Sequence, residues 1–142
     1  MRYFFDTSGL VKIYHKEPGS DIVLSIYDCD NIIFISELSR LEFVSTINRK
    51  FRNKEFNRET LMMLKDRFFS DIYDKFRIIP LTSILIDSAI ALITEYGESR
   101  HLVTLDAIQL SAFSSIEDAV FVSGDNRLNS IIKKIGYDLI EV

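Results

Sequence analysis

Short, mainly apolar runs that alternate with longer segments of helical periodicity are the feature that most limits how this chain can fold. The runs read "RYFF", "NIIFIS", "FRII", "AVFVS" and "YDLIEV". Runs without regularly alternating polar residues are typical of parallel strands covered on both faces. Between them, spacings of three and four residues, as in Leu61, Leu64 and Phe68, predict amphipathic helices. We therefore predict an α/β fold in which a short parallel, Rossmann-like sheet carries helices on both faces.

Residues that favour helix ends predict where several of the helices begin and stop. Asn57 and Thr104 are expected N-caps, because their side chains can accept a hydrogen bond from the first helical turn. Gly97 and Gly136 are expected at C-terminal ends, where glycine readily adopts the left-handed conformation.

Length and composition limit the class of protein. The 142 residues are 47% hydrophobic and contain no linker or repeat, which predicts a single domain over residues 1–142. The formal net charge of −4 provides no global positive field, so a phosphate partner must be bound locally. Cys29 is the single cysteine, which excludes an internal disulfide and any multi-cysteine metal site. No apolar stretch approaches the roughly 18 residues of a membrane span, so we expect a cytoplasmic protein.

Two aspartates directly follow predicted strands. Asp6 ends the first strand, and Asp125 follows "AVFVS" through a Ser-Gly turn. The carboxyl ends of parallel strands share one sheet edge, where ligands bind in open α/β sheets. Each aspartate could instead serve as an N-cap. That alternative suits Asp125, whereas for Asp6 the neighbouring Thr7 and Ser8 stand nearer the helix start and could cap it instead.

Two further acids lie on predicted helices. Asp106 suits the positive end of its helix dipole, but it shares a helical stripe with Leu110 and Phe113, which turns it inward. An unpaired inward carboxylate is costly, and no Lys or Arg lies one turn away, so a cation from elsewhere is expected. Glu42 lies on a narrow polar strip, which an ordinary solvated glutamate would explain equally well.

Four carboxylates at one sheet edge would repel each other unless protonated or bound to metal. Ligand sets made only of oxygen favour Mg²⁺ or Mn²⁺, whereas His15 and His101 lack the spacing of a zinc site. An ion held in this way activates water and neutralises the charge that develops on a phosphodiester. We therefore expect a phosphodiester hydrolase, whose candidate catalytic and metal-binding residues are Asp6, Glu42, Asp106 and Asp125.

The segments "FFDTSGLVKIY", "SELSRLEFVSTINRK", "LVTLDAIQLSAF" and "VFVSGDNRL" resemble, in order, the four signature segments of PIN-domain proteins. They are most similar to those of the VapC-type toxins of toxin–antitoxin pairs, and the likeness runs from residue 3 to about residue 136. The resemblance implies a single PIN-like domain and a Mg²⁺- or Mn²⁺-dependent endoribonuclease. It also implies a homodimer and inhibition by an antitoxin protein.

The resemblance places the four acids on the metal-binding positions of the family. Thr7, Ser8 and Ser123 match hydroxyl residues of its motifs. By hydrogen bonding, these hydroxyl groups would hold the carboxylates or a water molecule in place.

A basic run, defined as Arg49, Lys50, Arg52 and Lys54, follows the Glu42 helix. Its charges could bind RNA phosphates, or an acidic segment of an antitoxin, or simply be solvated at a helix end. The main alternative to catalysis is a non-catalytic PIN-like module that binds RNA or protein and uses the acids structurally. Loss of a metal-dependent activity on removal of one acid would separate these two functions.

Overall fold

The computed structural model describes residues 1–142, apart from the side chain of Arg100. The strands are β1 (Arg2–Phe5), β2 (Ile32–Ser36), β3 (Phe76–Ile79), β4 (Ala119–Ser123) and β5 (Leu139–Glu141). The helices are α1 (Thr7–Tyr14), α2 (Ser20–Tyr27), α3 (Glu37–Arg52), α4 (Arg58–Asp71), α5 (Ser83–Arg100), α6 (Thr104–Ser114) and α7 (Asn126–Ile135). None of the described helices is long and apolar enough to cross a membrane.

The strands form one parallel sheet in the order β3-β2-β1-β4-β5, which confirms the predicted fold class. The chain adds β2 and β3 on one side of β1 and then returns to add β4 and β5 on the other side. Phe5 lies in register with Ile35 on β2 and with Val122 on β4. The strand order therefore reverses between β1 and β4, and in open α/β sheets a ligand crevice opens at such a point.

Each face of the sheet is covered by its own apolar core. Successive side chains of a strand point to opposite faces, so Phe4 and Phe5 enter different cores, and both are fully buried. Phe5 packs with helices α1 to α4, including Phe43 and Phe68. Phe4 packs with helices α5 to α7 and with Phe121 of β4. Because both faces are apolar, polar chemistry is left to the edges of the sheet.

Two of the predicted helix ends are correct and two are wrong. Asn57 caps α4 by accepting from the Thr60 amide, and Gly136 ends α7 with a φ of 92°. Gly97 does not end its helix, because α5 packs on α6 and continues to Arg100, beyond which His101 adopts a left-handed conformation with a φ of 54°. Thr104 is already helical; the extended residue before α6 is Val103, which has no side chain that could cap.

Candidate metal centre

A cleft of about 460 Å³ opens where the carboxyl ends of β1 and β4 meet. Each of the four predicted acids reaches it from a different element. Asp6 follows β1, Glu42 lies on α3, Asp106 lies in the first turn of α6, and Asp125 precedes α7. The structure therefore brings together residues that are far apart in the sequence, at the edge that the strand order indicates.

Asp6 is buried and both of its carboxylate oxygens are hydrogen-bonded. Oδ1 accepts from Ser8 Oγ at 2.7 Å and from the Gly9 amide at 2.8 Å, and Oδ2 accepts from Ser123 Oγ at 2.7 Å. The expectation that Thr7 or Ser8 would cap α1 is wrong, because Asp6 itself is the N-cap. The chain is still extended at Asp6 and turns helical at Thr7, so Asp6 is the last residue with capping geometry.

A close approach of α1 to β4 supports this arrangement. A side chain on Gly9 would place its Cβ 2.9 Å from the Val122 carbonyl oxygen, which is too close for any other residue without movement of the backbone. Glycine at this position lets the first turn of α1 pack against the end of β4. Asp6 and Ser123 are thereby held within hydrogen-bonding distance.

Burial raises the pKa of Asp6 to about 6, although hydrogen bonds from Gly9, Ser123 and Ser8 lower it, and the negative charge of Asp125 adds a smaller increase. Loss of solvation is thus the main cause of the shift, rather than the repulsion between acids that the sequence suggests. No lysine, arginine or histidine of the described residues forms an ion pair with Asp6. The cleft therefore contains a buried acid whose charge lacks a cation.

Glu42 is connected to the other acids by hydrogen bonds. Its Oε2 atom accepts from Thr7 Oγ1, next to Asp6, and from Gln109 Nε2 at 2.8 Å. Gln109 lies one turn after Asp106 on α6, is buried, and also donates to Ser39 Oγ at 3.1 Å. The sequence analysis missed Gln109. The signal was a polar residue three positions after Asp106 in an inward-facing stripe.

Asp106 points inward, and its cation comes from another helix. Arg127 Nη1 on α7 lies 2.6 Å from Asp106 Oδ2, and Nη2 lies 3.8 Å from Asp125 Oδ2. Burial raises the pKa of Asp106 despite the opposing effect of Arg127. Asp125 has two uses, because its Oδ1 caps α7 by accepting from the Arg127 and Leu128 amides while Oδ2 remains near the cleft.

The basic run divides in two. Arg49 and Lys50 line the cleft, whereas Arg52 and Lys54 are exposed outside it. Lys50 forms ion pairs with Glu17 and Glu55, but Arg49 has no ion pair or side-chain hydrogen bond within the described part of the chain. A further cation of the cleft, Lys12, donates to the Pro18 carbonyl; it lies outside the basic run, and the sequence analysis missed it.

The tightest group of ligand atoms is not the predicted one. Among the described residues, the group with ligand atoms all within 4.8 Å of one another consists of His15, Glu17 and Glu55. The Lys50 ammonium contacts both glutamates, so this group already has its cation. In the four-acid cleft the donors are all oxygen, and no described side chain pairs a cation with the buried Asp6, which fits a hard divalent ion.

Comparison with known proteins agrees with the α/β fold described above. The sequence matches the PIN domain over residues 3–134. No curated protein matches it significantly.

Three solved structures with the same fold illustrate the likeness. One is VapBC2 from Rickettsia felis bound to a promoter DNA fragment, with a TM-score of 0.67, 18% identity and coverage of 99% of this chain and 98% of the other. Another is a toxin–antitoxin complex from Klebsiella pneumoniae, with a TM-score of 0.65, 17% identity and 99% coverage of both chains. The third is VapC20 from Mycobacterium tuberculosis, a sarcin–ricin loop cleaving toxin, with a TM-score of 0.68, 15% identity and coverage of 99% and 98%.

Proposed function

This chain belongs to the PIN domain family, and on that basis we propose that it is a metal-dependent endoribonuclease that hydrolyses RNA phosphodiesters. The observation that carries the proposal is the convergence of four carboxylates on one cleft, one of them buried without a cation. A purely structural use of the acids leaves the charge of Asp6 uncompensated. A divalent ion in the cleft would stabilise it.

The ligands we propose for the ion, Mg²⁺ or Mn²⁺, are Asp6, Asp106 and Asp125, with Glu42 beside them. When bound there, the ion would activate water and neutralise the charge that develops on the phosphate. The surrounding hydroxyl groups fix the carboxylates rather than react. Ser8 and Ser123 orient the two oxygens of Asp6, and Thr7 orients Glu42 together with Gln109.

For substrate binding we propose Arg49 as the main contact with an RNA phosphate. It lies seven residues after Glu42 on α3, lines the same cleft and is exposed, so its guanidinium is available. The charge of Lys50 is already shared by two glutamates, which leaves it a smaller part. Arg52 and Lys54 lie outside the cleft and could contact only more distant phosphates.

We further propose that the protein is the toxin of a type II toxin–antitoxin pair, acts in the cytoplasm, forms a homodimer and binds an antitoxin. The support is the shared fold with chains from toxin–antitoxin complexes. Large apolar side chains available to such partners include Leu41, Tyr73 and Ile84, which are 71%, 67% and 79% exposed.

The test is cleavage of a mixed cellular RNA pool by purified protein in Mn²⁺ or Mg²⁺, with EDTA as one control. Asp106→Asn should lower the rate by roughly a thousandfold or more, because a metal ligand supports several kcal/mol of transition-state stabilisation. Glu17→Gln is the matched change of a carboxylate that already has its cation, and it should retain most of the activity. Discrete products that require metal and Asp106 would support the proposal.

Two outcomes contradict it. If the folded, metal-loaded wild type does not cleave any RNA of the pool, the alternative of a non-catalytic RNA- or protein-binding module is favoured. If Asp106→Asn and Glu17→Gln lose activity equally while both melt as folded proteins, the cleft acids have no special part in the reaction.

A further inference from the structure

Arg127 connects two of the four cleft acids. Its Nη1 atom lies 2.6 Å from Asp106 Oδ2, and its Nη2 atom lies 3.8 Å from Asp125 Oδ2. The guanidinium also donates to the His101 carbonyl at 3.3 Å. The Arg127 side chain is 46% exposed, whereas that of Asp106 is only 12% exposed. A half-exposed cation therefore covers a nearly buried anion from the solvent side.

Arg127 contacts one carboxylate oxygen of each acid that a metal ion in the cleft could otherwise bind. Asp125 Oδ1 is committed to capping α7, which leaves Oδ2 for an ion. Oδ2 of Asp106 is held by Arg127 itself. A divalent ion has oxygen ligands at about 2.0–2.6 Å and repels a guanidinium, so the two cations cannot share these oxygens.

The hydrogen bonds to Asp6 raise no such conflict. Ser8, Gly9 and Ser123 donate hydrogen bonds without bringing a positive charge, and Oδ2, which accepts only from Ser123, keeps a second lone pair. A metal ion can therefore bind Asp6 without breaking them. The conflict is confined to Asp106 and Asp125, on the side of the cleft that α7 covers.

We propose that Arg127 is a built-in counter-ion that competes with the divalent ion for Asp106 and Asp125. It neutralises the pair when the ion is absent and swings towards solvent when the ion binds. The exposure of its side chain makes this movement possible without unfolding α7. The competition lowers the affinity of the cleft for metal. The inference rests on the proposed function, because it takes the four acids as a metal site.

The test is direct titration of the metal-free protein with Mn²⁺, read from the EPR signal of free Mn²⁺. Arg127→Gln should lower the Kd by roughly two- to fivefold, the range expected for one half-exposed ion pair. Arg127→Lys retains a competing cation and should stay nearer to the wild type. Arg52→Gln is the matched control, since Arg52 is exposed outside the cleft, and its Kd should not change.

Thermal melting provides a second measurement that does not depend on activity. In EDTA, the Tm of Arg127→Gln should be lower than that of the wild type, because Asp106 loses its cation. Saturating Mn²⁺ should reduce this difference in Tm. A difference of equal size with and without Mn²⁺, combined with an unchanged Kd, would mean that Arg127 is only structural.

A higher Kd for Mn²⁺ in Arg127→Gln would overturn the proposal, because Arg127 would then organise the ligands instead of competing for them. The same titration would distinguish failure of the proposed function from failure of this inference. In the former case the wild type would not bind Mn²⁺ at the cleft, and Asp6→Asn would leave the titration unchanged.

Discussion

Two groups of acids differ in how their charge is balanced, and Glu17 of the second group also lines the cleft of the first. Among the side chains that the structure describes, only Arg127 is a cation paired with the four-acid group. The second group, Glu17 and Glu55, is paired with Lys50, while Lys12 lies 4.0 Å from Glu17. The second group, together with His15, is the more compact of the two, since its ligand atoms all lie within 4.8 Å of one another. Under the proposed assignment of the metal site, compact geometry alone is a poor guide to such a site, and a deficit of cations is a better one.

The pKa shifts in the two groups support this difference in charge balance. Burial raises the pKa of Asp6 to about 6, so its charged form is disfavoured where it stands. For Lys50, burial lowers the pKa, but hydrogen bonds to Glu17 and Glu55 outweigh burial and raise it. The first group would gain stability from an added cation, whereas the second already holds one.

The largest expected effect on stability is that of Asp6→Asn in EDTA. The folded state binds the Asp6 proton more tightly than the unfolded state does, since its pKa rises from 3.8 to about 6. Ionised Asp6 therefore destabilises the wild type above pH 6 by about 3 kcal/mol, and this cost vanishes below about pH 4. Asparagine is neutral throughout and can still cap α1, so the variant should be the more stable protein at pH 7.5.

Urea unfolding of both proteins at several pH values between 4 and 7.5 measures this difference. The advantage of Asp6→Asn should disappear as the pH falls from 6 to 4, and Mn²⁺ at pH 7.5 should stabilise only the wild type strongly. In the balanced group, Glu17→Gln should have the opposite effect and lower stability at pH 7.5, because Lys50 loses a partner. If Asp6→Asn is the less stable protein in EDTA at pH 7.5, the carboxylate does not lack a cation.

A smaller effect is expected when the balanced group loses its cation. Lys50→Met leaves Glu17 and Glu55 without their ammonium, and it should cost about 1 kcal/mol of unfolding free energy. The same variant should acquire a second Mn²⁺ site, because His15 and the two glutamates already lie within 4.8 Å of one another. A titration that still finds the wild-type number of sites would show that Lys50 is not what keeps metal out.

The sequence predicts the sheet and the edge at which the acids meet better than it predicts the charges at that edge. Mainly apolar strands alternating with helices require a parallel sheet, and the ends of β1 and β4 then bring Asp6 and Asp125 together. The partner of Asp106 depends instead on how α6 and α7 pack, so a search one turn along α6 could not find Arg127.

The missed features have the same physical origin. Gly97 is a plausible helix end until packing against α6 carries α5 past it. Lys50 looks like a phosphate-binding residue until the turn before α2 places Glu17 against it. In both cases a contact between distant segments decides the outcome, and a local pattern does not contain that contact.

The smallest expected effect is a difference in RNA binding between two variants of the basic run. Arg49 lines the cleft and has no partner among the described side chains, so Arg49→Ala should weaken RNA binding several-fold and reduce the slope of log K against log salt by about 1. Arg52→Ala removes the same charge from the same helix outside the cleft, and its slope should not change. Binding to a fixed RNA oligonucleotide between 50 and about 200 mM salt, in Ca²⁺ to prevent cleavage, measures both. Equal slopes for the two variants would mean that RNA responds to the overall charge of the basic run and not to Arg49 in particular.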